Sequence, residues 1–141
     1  MPKIRLAMVQ TNPVVGDIDA NIAGAMKAVK SAVAAGANLI QFAEMATTGY
    51  PIEDLATRPS FIGAAESAVA GFAAELERQG FGGVPVVIGH PRFAAKPSGW
   101  AIAHNSASVL LGGRVTHTYD KHHLPNYSVF DEYRNFVPGN Q

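Results

Sequence analysis

Lys3-Ile4-Arg5-Leu6-Ala7-Met8-Val9-Gln10 alternates along its length, with Ile4, Leu6 and Met8 on one side and Ala7 and Val9 on the other. Both sides are largely apolar, which predicts a strand covered on both faces. Residues 11–19, with Pro13 and Gly16, read as a loop. Asp19 is placed to cap a helix in which Ile22, Met26, Val29 and Val33 recur at helical spacing, and Gly36 stands where that helix should stop. Asn38 to Phe42 reads as a second, buried strand. Strand, helix and strand in this order form a β-α-β unit, which implies parallel pairing and an α/β fold.

The pattern continues outward from that unit. Met45 to Thr57 is a loop rich in turn residues, and Pro59 to Gln79 predicts a second helix with Ile62, Ala65, Val69, Phe72 and Leu76 on one face. Gly80, Gly82 and Gly83 end it. Val84 to His90 reads as the next strand, with Pro85 at its start or edge. Pro91 to Trp100 reads as a loop. Asn105 to Leu111 and Arg114 to Tyr119 read as strands joined at Gly112-Gly113, a two-residue hairpin signal.

Composition narrows the classes. A chain of 141 residues with 48% hydrophobic and 16% charged residues has the size and make-up of one globular domain. Acids and bases balance at 11 each, which gives no electrostatic footprint for nucleic acid or an anionic membrane. No apolar run approaches the roughly 18 residues of a membrane span. The N-terminus enters a strand pattern without a signal-peptide core, so a cytoplasmic location is expected. There is no cysteine, which excludes disulfides, zinc–thiolate sites and thiol catalysis within these residues.

Two places concentrate reactive groups. Glu44 follows the second strand, where open α/β sheets hold ligands, although an exposed loop acid is the plainer reading of its position alone. Lys121 also follows a strand, and His122, His123, Tyr127, Asp131, Glu132, Tyr133 and Arg134 crowd around it in sequence. Adjacent residues of an extended segment point to opposite sides, so His122 and His123 are poor joint metal ligands, and no metal site is expected. Gly80-Phe81-Gly82-Gly83 precedes a strand and opens no helix, so it lacks the context of a phosphate cradle.

Two motif regions resemble the nitrilase, or carbon–nitrogen hydrolase, superfamily. They are Phe42-Ala43-Glu44-Met45 with Thr48-Gly49-Tyr50-Pro51-Ile52-Glu53-Asp54-Leu55, and Lys121-x-His123-Leu124-Pro125-Asn126-Tyr127 with Val129-Phe130-Asp131-Glu132-Tyr133-Arg134. Within the superfamily they are most similar to the N-terminal glutaminase domains of glutamine-dependent NAD synthetases, and the likeness begins at Ala7-Met8-Val9-Gln10. Ala43, where proline is usual, and Asn135, where an aromatic is common, depart from the pattern.

The resemblance implies the N-terminal half of a nitrilase-like α-β-β-α sandwich spanning residues 1–141. The rest of that domain and a separate ATP-dependent synthetase domain would lie outside these residues. It further implies glutamine as substrate, with Glu44 as general base, Lys121 as oxyanion stabiliser, Glu132 orienting the lysine and Tyr127 lining the glutamine pocket. ATP and Mg²⁺ would serve the synthetase domain, and the complete protein would be a homo-oligomer. The family's cysteine nucleophile has no counterpart here. A stand-alone amidase of the ω-amidase kind and a non-catalytic interaction subunit are the competing readings.

Overall fold

The computed structural model describes residues 3–140. Its elements run β1 (Leu6–Val9), α1 (Ile18–Ala34), β2 (Leu39–Phe42), a 3₁₀ turn (Glu53–Thr57), α2 (Pro59–Arg78), β3 (Val86–Ser98), β4 (Ala101–Leu111), β5 (Arg114–Asp120) and the short α3 (Glu132–Asn135). The five strands form one sheet in the order β1-β2-β3-β4-β5. β1–β2 and β2–β3 are parallel, as the helical crossovers require, while β3–β4 and β4–β5 are antiparallel. Gly112 and Gly113 both take positive φ at the β4–β5 turn, the conformation a tight two-residue hairpin needs.

Both long helices lie on one face of the sheet. Ala25, Met26 and Val29 of α1 and Val69, Phe72, Ala73 and Leu76 of α2 pack with Ile40, Phe42, Val86, Ile88 and Leu110 in the main core. The helical spacing read from the sequence is therefore the spacing of the buried face. A second apolar cluster joins Met45, Ile52, Ala56, Ile62, Ala103, Leu124 and Phe136, beneath the loops that follow β2 and β5.

Three sequence expectations are corrected. The cap of α1 is Asp17, whose carboxylate accepts from the Ala20 amide at 3.1 Å, while Asp19 lies inside the first turn. Pro91 to Trp100 is no loop: β3 runs on to Ser98 and pairs with β4 as a long hairpin. The β2–β3 pairing stops at Gln41 and Val87, so Pro91 stands where β3 has a strand on one side only, a place sheets tolerate proline. Thirdly, β1 is covered on one face only, with Leu6 44% and Met8 77% exposed. Their side of the sheet continues in register through Leu39 and Gln41, Val87, Val109 and Ala107 to His117 and Tyr119, and neither α1 nor α2 packs upon it.

His90 shows how tightly the central strands are specified. It is buried, with Nδ1 3.0 Å from the Pro91 carbonyl and Nε2 2.8 Å from Ser108 Oγ. A carbonyl can only accept, so Nδ1 carries the proton and Nε2 accepts from Ser108. Ser108 must then accept from the Thr118 hydroxyl 2.8 Å away, linking β3, β4 and β5 through one directed chain. Burial, opposed by the Pro91 carbonyl and assisted by the Arg92 charge, holds His90 below the usual imidazole range.

Two outcomes follow from this architecture. The exposed sheet face should make the 141-residue chain self-associate, and Met8→Lys should reduce that association without loss of helix content. Sedimentation velocity with circular dichroism tests this, and a monodisperse wild-type monomer would refute it. Below about pH 6.5 the unfolded chain takes up a proton at His90 that the folded chain refuses, so stability should fall as pH is lowered through that range. The urea midpoint of wild type should drop more between pH 7.5 and 5.5 than that of His90→Gln, and equal drops would exclude His90 as the cause.

Candidate active site

Glu44 and Lys121, 77 residues apart, meet beyond the ends of β2 and β5. Lys121 Nζ donates to Glu44 Oε1 at 2.9 Å and to Glu132 Oε1 at 3.2 Å, with Glu132 Oε2 a further 3.0 Å ion-pair contact. Tyr50 donates its hydroxyl to Glu132 Oε1 at 2.9 Å, and the Asn105 carboxamide donates to Glu44 Oε1. The result is one continuous chain of contacts, Tyr50–Glu132–Lys121–Glu44–Asn105.

Each member is held by its own segment. Residues after Glu44 turn sharply, with Met45 at φ 51° and its carbonyl accepting from the Thr48 and Gly49 amides at 3.0 and 2.8 Å. Non-glycine residues adopt that conformation only where surroundings enforce it, and here the Met45 side chain is fully buried. Gly89 of β3 makes room for the turn: a Cβ there would lie 2.5 Å from the Met45 nitrogen and 2.9 Å from Glu44 Cα. Asn21 of α1 adds a tie from outside, donating to the carbonyls of Val14 and Thr47 at 2.8 and 3.2 Å.

Lys121 is fixed through its backbone. Its amide donates to the Asn105 carbonyl at 2.8 Å, extending the β4–β5 ladder by one residue, and its carbonyl accepts from the Gly139 amide at 2.9 Å. The preceding residue, Asp120, is buried and anchored by Arg92 at 2.5 and 3.2 Å and by Ser106 at 2.6 Å. Burial alone would raise the Asp120 pKa, but the Arg92 and Ser106 hydrogen bonds, with the His104 and Arg92 charges, hold it below the usual carboxylate range. Glu132 opens α3 and is only 2% exposed; its amide donates to the Pro125 carbonyl at 3.2 Å.

The electrostatics are those of a shared charge. Burial works against the Lys121 ammonium, yet the hydrogen bonds and charges of Glu44 and Glu132 outweigh it and hold the lysine above its ordinary pKa. Tyr50 is pushed above the ordinary phenol range by burial first, then by the hydrogen bond and charge of Glu132 and the charges of Glu44 and Glu53. Beside the network lies a cavity of about 250 Å³, whose lining includes Glu44, Asn105, Lys121, Gln41, Val87 and Tyr119.

The structure thus brings Glu44, Lys121 and Glu132 together. It does not bring Tyr127 to them: that side chain is 69% exposed and packs edge-on against Phe130, ring centres 5.7 Å apart. Pro125 interrupts the extended segment before Tyr127, and Ser128, at φ 57°, turns the chain after it. His122 bonds the Gly139 carbonyl and packs edge-on with His123, and neither lines the cavity. Tyr50 lay within a quoted motif without an assigned role. Asn105 was read only as the start of a strand, and its signal was a polar residue in a strand otherwise fit for burial.

An acid and a lysine meeting beyond strand ends, backed by a second buried acid, define the hydrolase type whose motifs the sequence carries. Residues 5–140 match the carbon–nitrogen hydrolase family, and the chain belongs to it. Among its relatives, the glutamine-dependent NAD(+) synthetase of Xanthomonas campestris pv. campestris (strain 8004) is 38% identical over 134 residues, 94% of this chain and 22% of that protein. The synthetase of Thermotoga maritima is 36% identical over 141 residues, the whole of this chain and 23% of that protein. The structure of the Acinetobacter baumannii glutamine-dependent NAD+ synthetase in complex with ADP superposes with a TM-score of 0.84 at 32% identity, over 100% of this chain and 25% of that one. An amidase from Nesterenkonia sp. shares the fold at a TM-score of 0.75 and 24% identity, over 98% of this chain and 49% of that one. The chain therefore spans about a quarter of the synthetases it matches and about half of the amidase.

Truncating Glu132 should test the network directly. Glu132→Ala removes the acceptor of the Tyr50 hydroxyl and one of the two carboxylates beside Lys121, which keeps Glu44, and should cost about 1–3 kcal/mol of stability. In Glu132→Gln the Tyr50 phenol, assigned with Tyr50→Phe, should ionise at lower pH by ultraviolet difference titration. An unmoved Tyr50 titration would count against the pairing.

Proposed function

We propose that this chain is the N-terminal part of a glutaminase domain, which releases ammonia from glutamine for the ATP-dependent amidation of deamido-NAD to NAD. The observation that carries the reading is Lys121 Nζ held between Glu44 and Glu132, in a chain similar over nearly its whole length to glutamine-dependent NAD synthetases. A stand-alone amidase has weaker support, because the solved amidases superpose at TM-scores of 0.75–0.76 against 0.84 and 0.86 for two solved synthetases.

The chemistry needs a nucleophile that these residues lack, a cysteine thiol supplied by a segment outside them. Glu44 takes the thiol proton as sulfur attacks the side-chain amide carbon of glutamine. Lys121 stabilises the negative charge that grows on the amide oxygen. The carbon–nitrogen bond breaks, the proton held by Glu44 passes to the leaving nitrogen, and ammonia departs from a thioester. Glu44 then deprotonates water, which attacks the thioester to give glutamate and restore the thiol. Glu132 keeps Lys121 aimed at the oxygen, and Tyr127 contacts glutamine once the remainder of the pocket is in place. Ammonia would be used in a separate synthetase domain, whose ATP and Mg²⁺ would supply the activation of the acid, and the complete protein would be a homo-oligomer.

Ammonia release from glutamine distinguishes these roles. The intact gene product should release it, and Glu44→Ala should lower the rate by about 10²-fold or more, the range for losing a general base. The 141-residue chain alone should release none, because hydroxyls are far weaker nucleophiles than a thiol near neutral pH. Turnover by the chain alone that Glu44→Ala abolishes would establish a cysteine-independent mechanism and overturn the reading.

A further inference from the structure

Glu44 has two oxygens, and they stand in unequal surroundings. Oε1 accepts both from Lys121 Nζ, at 2.9 Å, and from the Asn105 carboxamide. Oε2 has no hydrogen-bond partner among the described residues, while the Glu44 side chain is about half exposed at the wall of the 250 Å³ cavity. Asn105 itself is 4% exposed, in the interior of β4 opposite Pro91 of β3. Beside a carboxylate its amide must present nitrogen, because its own oxygen could only repel. The same residue accepts the Lys121 amide through its backbone carbonyl at 2.8 Å. One side chain and one carbonyl of a single residue therefore fix both the carboxylate and the strand end that carries the ammonium.

We infer that Asn105 is a positioning residue that pins Oε1 of Glu44 and so leaves Oε2 as the oxygen that exchanges protons in the cavity. The inference rests on the glutaminase reading given above. Lys121 alone cannot set this choice, because its ammonium is shared with Glu132 and sits on a flexible stem that can follow Glu44 through a rotation. Asn105 is short, planar and enclosed by the sheet, so its donor direction is fixed by the backbone of β4. Without it Glu44 rotates about its terminal torsion, whose preferences are broad, and the reactive lone pair loses its aim. Misplacement on this scale costs about 10²-fold in rate.

The test is a double-mutant cycle on glutamine hydrolysis by the intact gene product. Asn105→Ala should lower kcat by about 10²-fold while KM for glutamine stays put, because the defect lies in proton transfer and not in binding. On a Glu44→Ala background the same substitution should cost nothing further, since the group it positions is gone. A kcat for Asn105→Ala equal to wild type, or an equal fractional loss on both backgrounds, would overturn the inference and leave Asn105 a structural residue. A second measurement needs no turnover. The Asn105 side-chain amide resonances, in protein labelled with ¹⁵N-asparagine, should shift in Glu44→Ala. Resonances that ignore Glu44 would overturn the pairing itself. A wild type that releases no ammonia overturns the glutaminase reading, and Asn105's part in it, even where those resonances answer to Glu44.

Discussion

One ammonium between two carboxylates is the constraint around which the site end of this molecule is organised. Glu132 is buried, and a buried acid persists only with partners that replace water. Lys121 and Tyr50 are those partners, and Lys121 reaches Glu44 as well. Three chain segments distant in sequence must therefore converge, and coulombic attraction cannot hold loops at 3 Å by itself. The second apolar cluster supplies the rest. Met45 follows Glu44, Ile52 lies two residues beyond Tyr50, Leu124 three beyond Lys121, and Phe136 four beyond Glu132, and all four pack together. Each charged or polar member is anchored by a nearby buried apolar side chain. The apolar cluster closes one side of the network and the cavity opens the other.

The core of the fold was legible because burial and local periodicity agree. The buried faces of α1 and α2 fall at the helical spacing of Met26 and Val29, and of Val69, Phe72 and Leu76, and the Gly112-Gly113 turn is a local signal with a local cause. Where tertiary context decides, local reading failed. Prolines at positions 91 and 97 and the polar residues around them read as loop, and only the end of β2 pairing frees one side of β3 to carry Pro91. Asp19 and Asp17 both offer a capping carboxylate, and the choice falls to Asp17 because its oxygen reaches the Ala20 amide from outside the first turn.

The site was legible to a different degree. Glu44, Lys121 and Glu132 were found through motif likeness, and their meeting follows from β2 and β5 ending at one edge. Asn105 carried no such mark. It sits in a buried strand with Ser106 and Ser108, and nothing local separates a polar residue that satisfies a neighbouring Asp120 or His90, as those serines do, from one that aims a carboxylate. Tyr127 carries a clear motif, and its side chain is exposed where the chain turns at a left-handed Ser128.

The cavity beside Glu44 and Lys121 opens on the uncovered face of the sheet. Gln41, Val87, Gly89, Ala107 and Tyr119 all line the cavity, and their register places them on the face that carries neither α1 nor α2. Asn105, two residues from Ala107, and Lys121, two from Tyr119, share that side by the alternation of a strand. The helices α1 and α2 close the opposite face, so no group can approach the reacting atoms from there. The open approach to Glu44 and Lys121 is over the uncovered side, the side on which Leu6 and Met8 are exposed. Hydrophobic burial favours covering that face. Apolar surface and open access to the acid–lysine pair thus lie on one side of the sheet, so a group that buries the one also comes beside the other.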